Sequence, residues 1–93
     1  MKSNEKLQKL PISKVVAQWH KDGYKEVTFS QLKKAEPIKT YIRYITNDAP
    51  RLGGLLTFYH ENPNYIRLVN TVNKFKWSVQ ANGTRFFTNN PNL

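Results

Sequence analysis

The N-terminal quarter of the chain has the hydrophobic period of a helix. Four apolar residues have the spacing i, i+3, i+4 and i+7 of one helix face: Ile12, Val15, Val16 and Trp19. Pro11 suits the first turn because its missing N–H would have no partner there, and Gly23 is placed to end the helix. These positions predict a helix over residues 11–22. The polar, Lys-rich residues before it are expected to form a basic arm over 1–10, followed by a single small domain over 11–93.

Further along the chain the period changes to two, which is typical of strands. Residues 38–45 alternate between apolar and polar positions and predict a first strand. Residues 52–59 and 65–70 predict the next two, and Gly53-Gly54 indicates a bulge or sharp bend. Ser30 is expected to cap a short helical turn over residues 31–35, which Glu36-Pro37 would end.

The last two strands are predicted to form a hairpin across Asn82-Gly83, the pair favoured in two-residue type I′ turns. This register places Gln80 opposite Arg85 and Ser78 opposite Phe87. Opposed residues share a face. One face of the hairpin would then point into the core: Phe75, Trp77, Val79 and Phe86. The other would point outward: Lys76, Ser78, Gln80, Arg85 and Phe87.

Together these elements predict an α+β fold. An N-terminal helix would be followed by a small antiparallel β-barrel or curved meander of four to five strands within residues 38–88. Short strands separated by tight turns fit an SH3-like barrel best.

The charge balance narrows the class of partner. The 93 residues include 15 Lys and Arg against 6 Asp and Glu, a formal net charge of +9, and no acid follows Glu61. A small domain with this charge favours polyanions, so nucleic acid, either DNA or RNA, is the expected partner. A protein partner or self-association is the alternative. No apolar run is long enough to span a membrane, and Leu7 with Leu10 give too little apolar area for insertion.

Aromatic and basic residues alternate on three predicted strands. The outward face of the last hairpin combines Lys76, Arg85 and Phe87, and two other strands carry the pairs Tyr41–Arg43 and Tyr65–Arg67. Cations can contact phosphates while rings stack on bases, so these seven residues are the candidate nucleic-acid-binding set. Alternatively, the rings fill a second side of a thin barrel beneath arginine stems, or they contact another protein.

The residue types argue against catalysis and bound cofactors. Cysteine is absent, and the two histidines, His20 and His60, lack further ligands at zinc spacing. No nucleophile motif or acid–base pair stands out, so neither an enzyme nor a small-molecule substrate is expected. The N-terminus lacks the apolar stretch of a signal peptide, which favours a location inside the cell or a virion.

Five segments resemble short, largely uncharacterised proteins of large nucleocytoplasmic DNA viruses: residues 28–33 (TFSQLK), 42–45 (IRYI), 53–54 (GG), 65–68 (YIRL) and 77–80 (WSVQ). The resemblance implies a small viral β protein, associated with the virion or acting in the host cell. It assigns no site residues. The strand plan is separately similar to SH3-like barrels such as Tudor domains.

Overall fold

A computed structural model of the chain describes residues 10–93. The basic arm expected over residues 1–10 lies outside this range except for Leu10, which is exposed.

Helix α1 spans Ile12–Lys21 and confirms the helix expected from the period of the apolar residues. Val15 and Trp19 are fully buried beneath it, and Ile12 and Val16 pack at their margin. Gly23, with φ of 89°, follows the helix end as expected. A second, short helix, α2, spans Phe29–Leu32.

The cap of α2 differs from the expectation. Thr28, not Ser30, is the N-cap: its side chain accepts a hydrogen bond from the Gln31 N–H, and the Gln31 side chain accepts one from the Thr28 N–H. This reciprocal capping box satisfies two donors at the helix start, so the helix begins earlier than predicted. Leu32 and Ala35 then enter the core.

Six antiparallel strands form one sheet: β1 (Lys25–Val27), β2 (Tyr41–Thr46), β3 (Ala49–His60), β4 (Tyr65–Val69), β5 (Lys76–Gln80) and β6 (Thr84–Thr88). Their order across the sheet is β1-β6-β2-β3-β4-β5. The α+β class with antiparallel strands is confirmed. The sheet has six strands rather than four to five, and it is not closed, because β1 and β5 each pair with one neighbour. The SH3-like plan stays a prediction.

The predicted hairpin between the last two strands is wrong. β5 pairs with β4, whereas β6 lies between β1 and β2. Gly83 has positive φ but Asn82 does not, and the Thr84 N–H donates to the Ala81 carbonyl, as in a type II turn. Such a turn does not follow the twist of a hairpin, so the two strands separate after it. The type I′ pattern occurs instead at Asn47-Asp48, where both φ values are positive between β2 and β3.

The two faces of the sheet carry separate cores. The inner face holds the larger core: Val27, Leu32, Ala35, Ile42, Tyr44, Leu56, Ile66, Leu68, Val79 and Phe86. On the outer face, α1 covers only β2 and β6, where Val15 and Trp19 pack on Ile45 and Phe87. Among residues 10–93, no element covers the outer face of β3, β4 and β5.

Candidate nucleic-acid interface

The outer side of β3, β4 and β5 carries three rows of side chains fixed by strand register. His60 pairs with Tyr65 and Tyr65 with Gln80, Phe58 pairs with Arg67 and Arg67 with Ser78, and Leu55 pairs with Val69 and Val69 with Lys76. The residues between them on β4, Ile66 and Leu68, are buried in the inner core. Because side chains alternate along a strand, the nine row residues share one face, called here the β3–β5 outer face.

A bulge in β3 directs Phe58 to this face. Leu56 pairs with Leu68 and Phe58 with Arg67, so Thr57 is an extra residue in β3. Its hydroxyl donates to the Arg67 carbonyl at 3.2 Å. Simple alternation from the buried Leu56 would turn Phe58 inward. Because the extra residue reverses the alternation of side chains, Phe58 points to the outer side, where it is 43% exposed.

Phe58, His60 and Tyr65 form a cluster of three rings. The His60 and Tyr65 rings stack with centroids 4.8 Å apart, and Phe58 lies 5.9 Å from His60 and 6.2 Å from Tyr65. His60 Nδ1 lies 3.0 Å from the Pro63 carbonyl oxygen, which holds the imidazole at the strand end. The cluster forms a ring-lined surface on paired strands rather than on a loop.

The charge on this face is positive. The Arg67 guanidinium lies 5.7 Å from the Phe58 ring centroid and 6.0 Å from that of Tyr65, and Lys76 is exposed at the end of its row. None of the nine row residues is acidic. Glu61, in the turn after His60, forms an ion pair with Lys33 at 3.2 Å. Arg67 has no acidic partner among the described residues, so its donors remain available to a ligand.

Arg43, a predicted binding residue, instead holds α1 against the sheet. Its guanidinium donates to Asp22 at 2.9 Å and lies 4.0 Å from the Tyr24 ring centroid and 5.7 Å from that of Trp19. Hydrogen bonds from Arg43 and then Gln18 hold the pKa of Asp22 below its ordinary value. The Arg43 side chain is only 21% exposed, because its guanidinium is engaged in this contact.

Arg85 and Phe87 are likewise not on the β3–β5 outer face. Arg85 donates two hydrogen bonds to Glu26, at 2.8 and 2.9 Å. This pairing lowers the pKa of Glu26 and raises that of Arg85. Phe87, expected to be exposed, is fully buried and meets the Trp19 ring edge-on at 5.0 Å. Both side chains point to the outer side of the sheet, as the predicted alternation requires. The expectation failed for Phe87 because α1 packs on that side over β2 and β6.

The remaining predicted residues fall on or beside the face. Tyr65, Arg67 and Lys76 lie in its three rows. Tyr41 pairs with Leu55 and extends one row onto β2, where its side chain is 43% exposed. Phe75, expected in the core, is 63% exposed and stacks on Trp77.

Sequence reasoning missed Phe58 and His60. Their i, i+2 spacing in the stretch Phe58-Tyr59-His60 is a usable signal, because a hairpin over residues 61–64 brings His60 opposite Tyr65. The bulge that turns Phe58 outward has no comparable signature, since Thr57 is an ordinary strand residue.

In comparisons with known proteins, no protein-family model, curated protein or solved structure matches the chain. Within the described range, no helix is long and apolar enough to cross a membrane. Residues 10–93 also contain no group of three His, Asp or Glu side chains that could hold a metal ion.

Proposed function

We propose that this protein binds single-stranded nucleic acid through the β3–β5 outer face, without strong sequence specificity. One observation carries the proposal. The rings of Phe58, His60 and Tyr65 stand beside Arg67 on a face that no described element covers. Arg67 has no acidic partner among residues 10–93, and the nine row residues include no acid.

Each part of this face supplies a different interaction. An exposed ring can stack on any base, and such a contact contributes about 1–3 kcal/mol per base. Arg67 and Lys76 can contact phosphates, which position a strand without reading its sequence. The formal net charge of +9 adds attraction to a polyanion from a distance.

The geometry favours unpaired over paired strands. Stacking on Phe58 requires a base that is free of its partner, which a single strand offers at no cost. Reading a duplex requires an element that enters a groove, most often a helix. Here α1 buries Val15 and Trp19 against the sheet and is held there by Arg43.

Two substitutions test the proposal by titration of fluorescent single-stranded DNA and RNA of random sequence. Phe58→Ala should weaken binding about tenfold because it removes a stacking platform. Phe75→Ala is the control, because it removes an exposed ring that stacks on Trp77 rather than standing in the three rows. It should change affinity by less than about twofold.

Arg67→Gln tests the electrostatic part. It should weaken binding and reduce the slope of log K against log salt concentration by about 0.7, the value for one phosphate contact on a single strand. Lys14→Gln removes the same charge from the exposed side of α1 and should leave the slope nearly unchanged. Absence of binding at low salt, or equal effects of Phe58→Ala and Phe75→Ala, would reject the proposal.

Protein–protein contact is the second candidate, and a separate patch favours it. Tyr41, Leu52 and Val72 line a cavity of about 180 Å³ beside Gly53-Gly54, and Val72 is 90% exposed. Self-association that Val72→Asp abolishes, together with weak salt dependence, would support this candidate. The resemblance to viral proteins and a location in the cell or virion stay predictions, and neither proposal depends on them.

A further inference from the structure

A cleft opens along the free edge of β5. It has a volume of about 310 Å³ and lies between β5 and the ends of β2 and β6. Its lining is uncharged and almost entirely polar: Tyr44, Thr46, Asn47, Ser78, Val79, Gln80, Asn82 and Thr84.

The hydrogen-bonding groups of this cleft are only partly used. Trp77 Nε1 donates to the Tyr44 hydroxyl at 3.1 Å, and the Thr84 hydroxyl donates to that of Thr46 at 3.4 Å. The side-chain amides of Asn47, Gln80 and Asn82 make no hydrogen bond to another described residue. Each amide carries a donor group and an acceptor, so the cleft presents several unused donor–acceptor pairs.

These amides suit a nucleobase better than a phosphate. A phosphate is usually held by cationic side chains, and the cleft has none. The edges of bases present donors and acceptors side by side, and Asn or Gln side chains can bind them through two hydrogen bonds. Single-stranded bases expose these edges fully.

The cleft is continuous with the β3–β5 outer face. Ser78 and Gln80 line the cleft and are also the β5 members of the rows that contain Arg67 and Tyr65. A strand that stacks on Phe58 and Tyr65 can therefore pass over β5 and place the next base at the cleft.

We propose that this cleft binds one base of the strand held on the β3–β5 outer face and gives the protein a base preference at that position. The inference rests on the proposed function and adds selectivity to it. Gln80 and Asn82 are the specificity-determining residues, because both are exposed at the junction of cleft and face.

The experiment compares the affinities of the parent protein for equal-length oligomers of deoxyadenosine, deoxycytidine and deoxythymidine. The parent should separate the strongest from the weakest by about tenfold, the discrimination expected from one amide–base pair. The double variant Gln80→Ala/Asn82→Ala should reduce this ratio to below about twofold.

Two further variants make the result specific. Gln80→Met keeps the length of the side chain but removes its amide. It should therefore lower the affinity ratio between oligomers without disturbing the fold of β5. Asn89→Ala removes an exposed amide outside the cleft and should leave the ratio unchanged. Circular dichroism and thermal melting establish that each variant is folded.

The outcomes separate the two proposals. If no oligomer binds, the proposed function fails. If all three bind equally, or if the preference survives in both Gln80 variants, the face binds nucleic acid but the cleft proposal is overturned. A preference that survives in these variants would come from stacking on the rings. If the free edge of β5 instead binds a peptide as an additional strand, these side chains would likewise not affect the base ratio.

Discussion

Arg43, Arg67 and Arg85 each lie beside an aromatic ring, and their acidic neighbours distinguish their roles. Asp22 binds Arg43 and Glu26 binds Arg85, whereas Arg67 has no acidic partner among residues 10–93. Spacing alone made the three equivalent, because each is two positions from a ring in the sequence. The acidic partners come from distant segments, which a local pattern cannot reveal.

This distinction predicts opposite effects of the same substitution. Arg43→Met should lower the free energy of unfolding by about 1 kcal/mol through loss of its cation–π contact, and further through loss of the Asp22 hydrogen bond. It should leave nucleic-acid affinity nearly unchanged. Arg67→Met, at an exposed position, should change stability by less than about 0.5 kcal/mol but weaken binding.

Urea denaturation and strand titration of both variants provide the measurements. A loss of affinity in folded Arg43→Met as large as that in Arg67→Met would contradict the separation of roles.

At the scale of elements, β3 is a long strand that serves two neighbours. It pairs with β2 through its first half and with β4 through its second, and a bulge interrupts each pairing. In the first bulge Leu52 and Gly53 oppose Arg43, and Gly53 has φ of 65°. The bend expected at Gly53-Gly54 is therefore present, and it needs glycine because a Cβ on Gly53 would overlap the Ile42 carbonyl.

Gly53→Ala should consequently lower the free energy of unfolding by about 3 kcal/mol or more. Gly83→Ala is the matched control, since Gly83 also has positive φ but a Cβ there would meet no atom within 4 Å. It should cost only about 1–2 kcal/mol, the penalty for the left-handed conformation itself. Equal losses in thermal or urea unfolding would show that the Ile42 contact is unimportant.

The elements themselves were largely predictable, but their pairing was not. α1 has a clear period in Ile12, Val15, Val16 and Trp19, and the strands show alternation, so local spacing located them. The partner of β6 depends on a turn conformation at Asn82-Gly83 that the same two residues can adopt in more than one form. The burial of Phe87 was not predictable either, because it comes from α1, a distant segment that packs over β6.

At the scale of the whole molecule, two acidic residues hold the segment with α1 and β1 against the rest of the sheet. Asp22 follows α1 and Glu26 lies in β1, and each carboxylate accepts hydrogen bonds from an arginine of the sheet. Both have a lowered pKa in the folded state. Their stabilising effect is therefore complete above the pKa of an unfolded carboxyl, about 4, and is lost as the pH falls through the folded value.

Glu26→Gln should reduce the acid sensitivity of the fold. At neutral pH the free energy of unfolding of the variant should be lower than that of the parent by less than about 1 kcal/mol, because the ion pair is half-exposed. This difference should shrink as the pH falls below about 4. Arg85→Gln should have the same effect, because it removes the hydrogen bonds that lower the Glu26 pKa. Urea midpoints measured from neutral to acid pH test this, and parallel curves for parent and variants would contradict it.

The position of β6 between β1 and β2 has a consequence for how the chain assembles. The pairs Lys25–Thr88 and Ile42–Thr88 join the last strand to segments that are synthesised long before it. The entropic cost of closing these large loops must therefore be met before the contacts can stabilise the pairing. The meander from β2 to β5 can form from neighbours alone. The Trp19 side of α1, however, has no Phe87 to pack on until residues 84–88 are available. During synthesis, the packing surface of Trp19 is therefore complete only once β6 has been made, and we expect full burial of Trp19 to report the docking of β6.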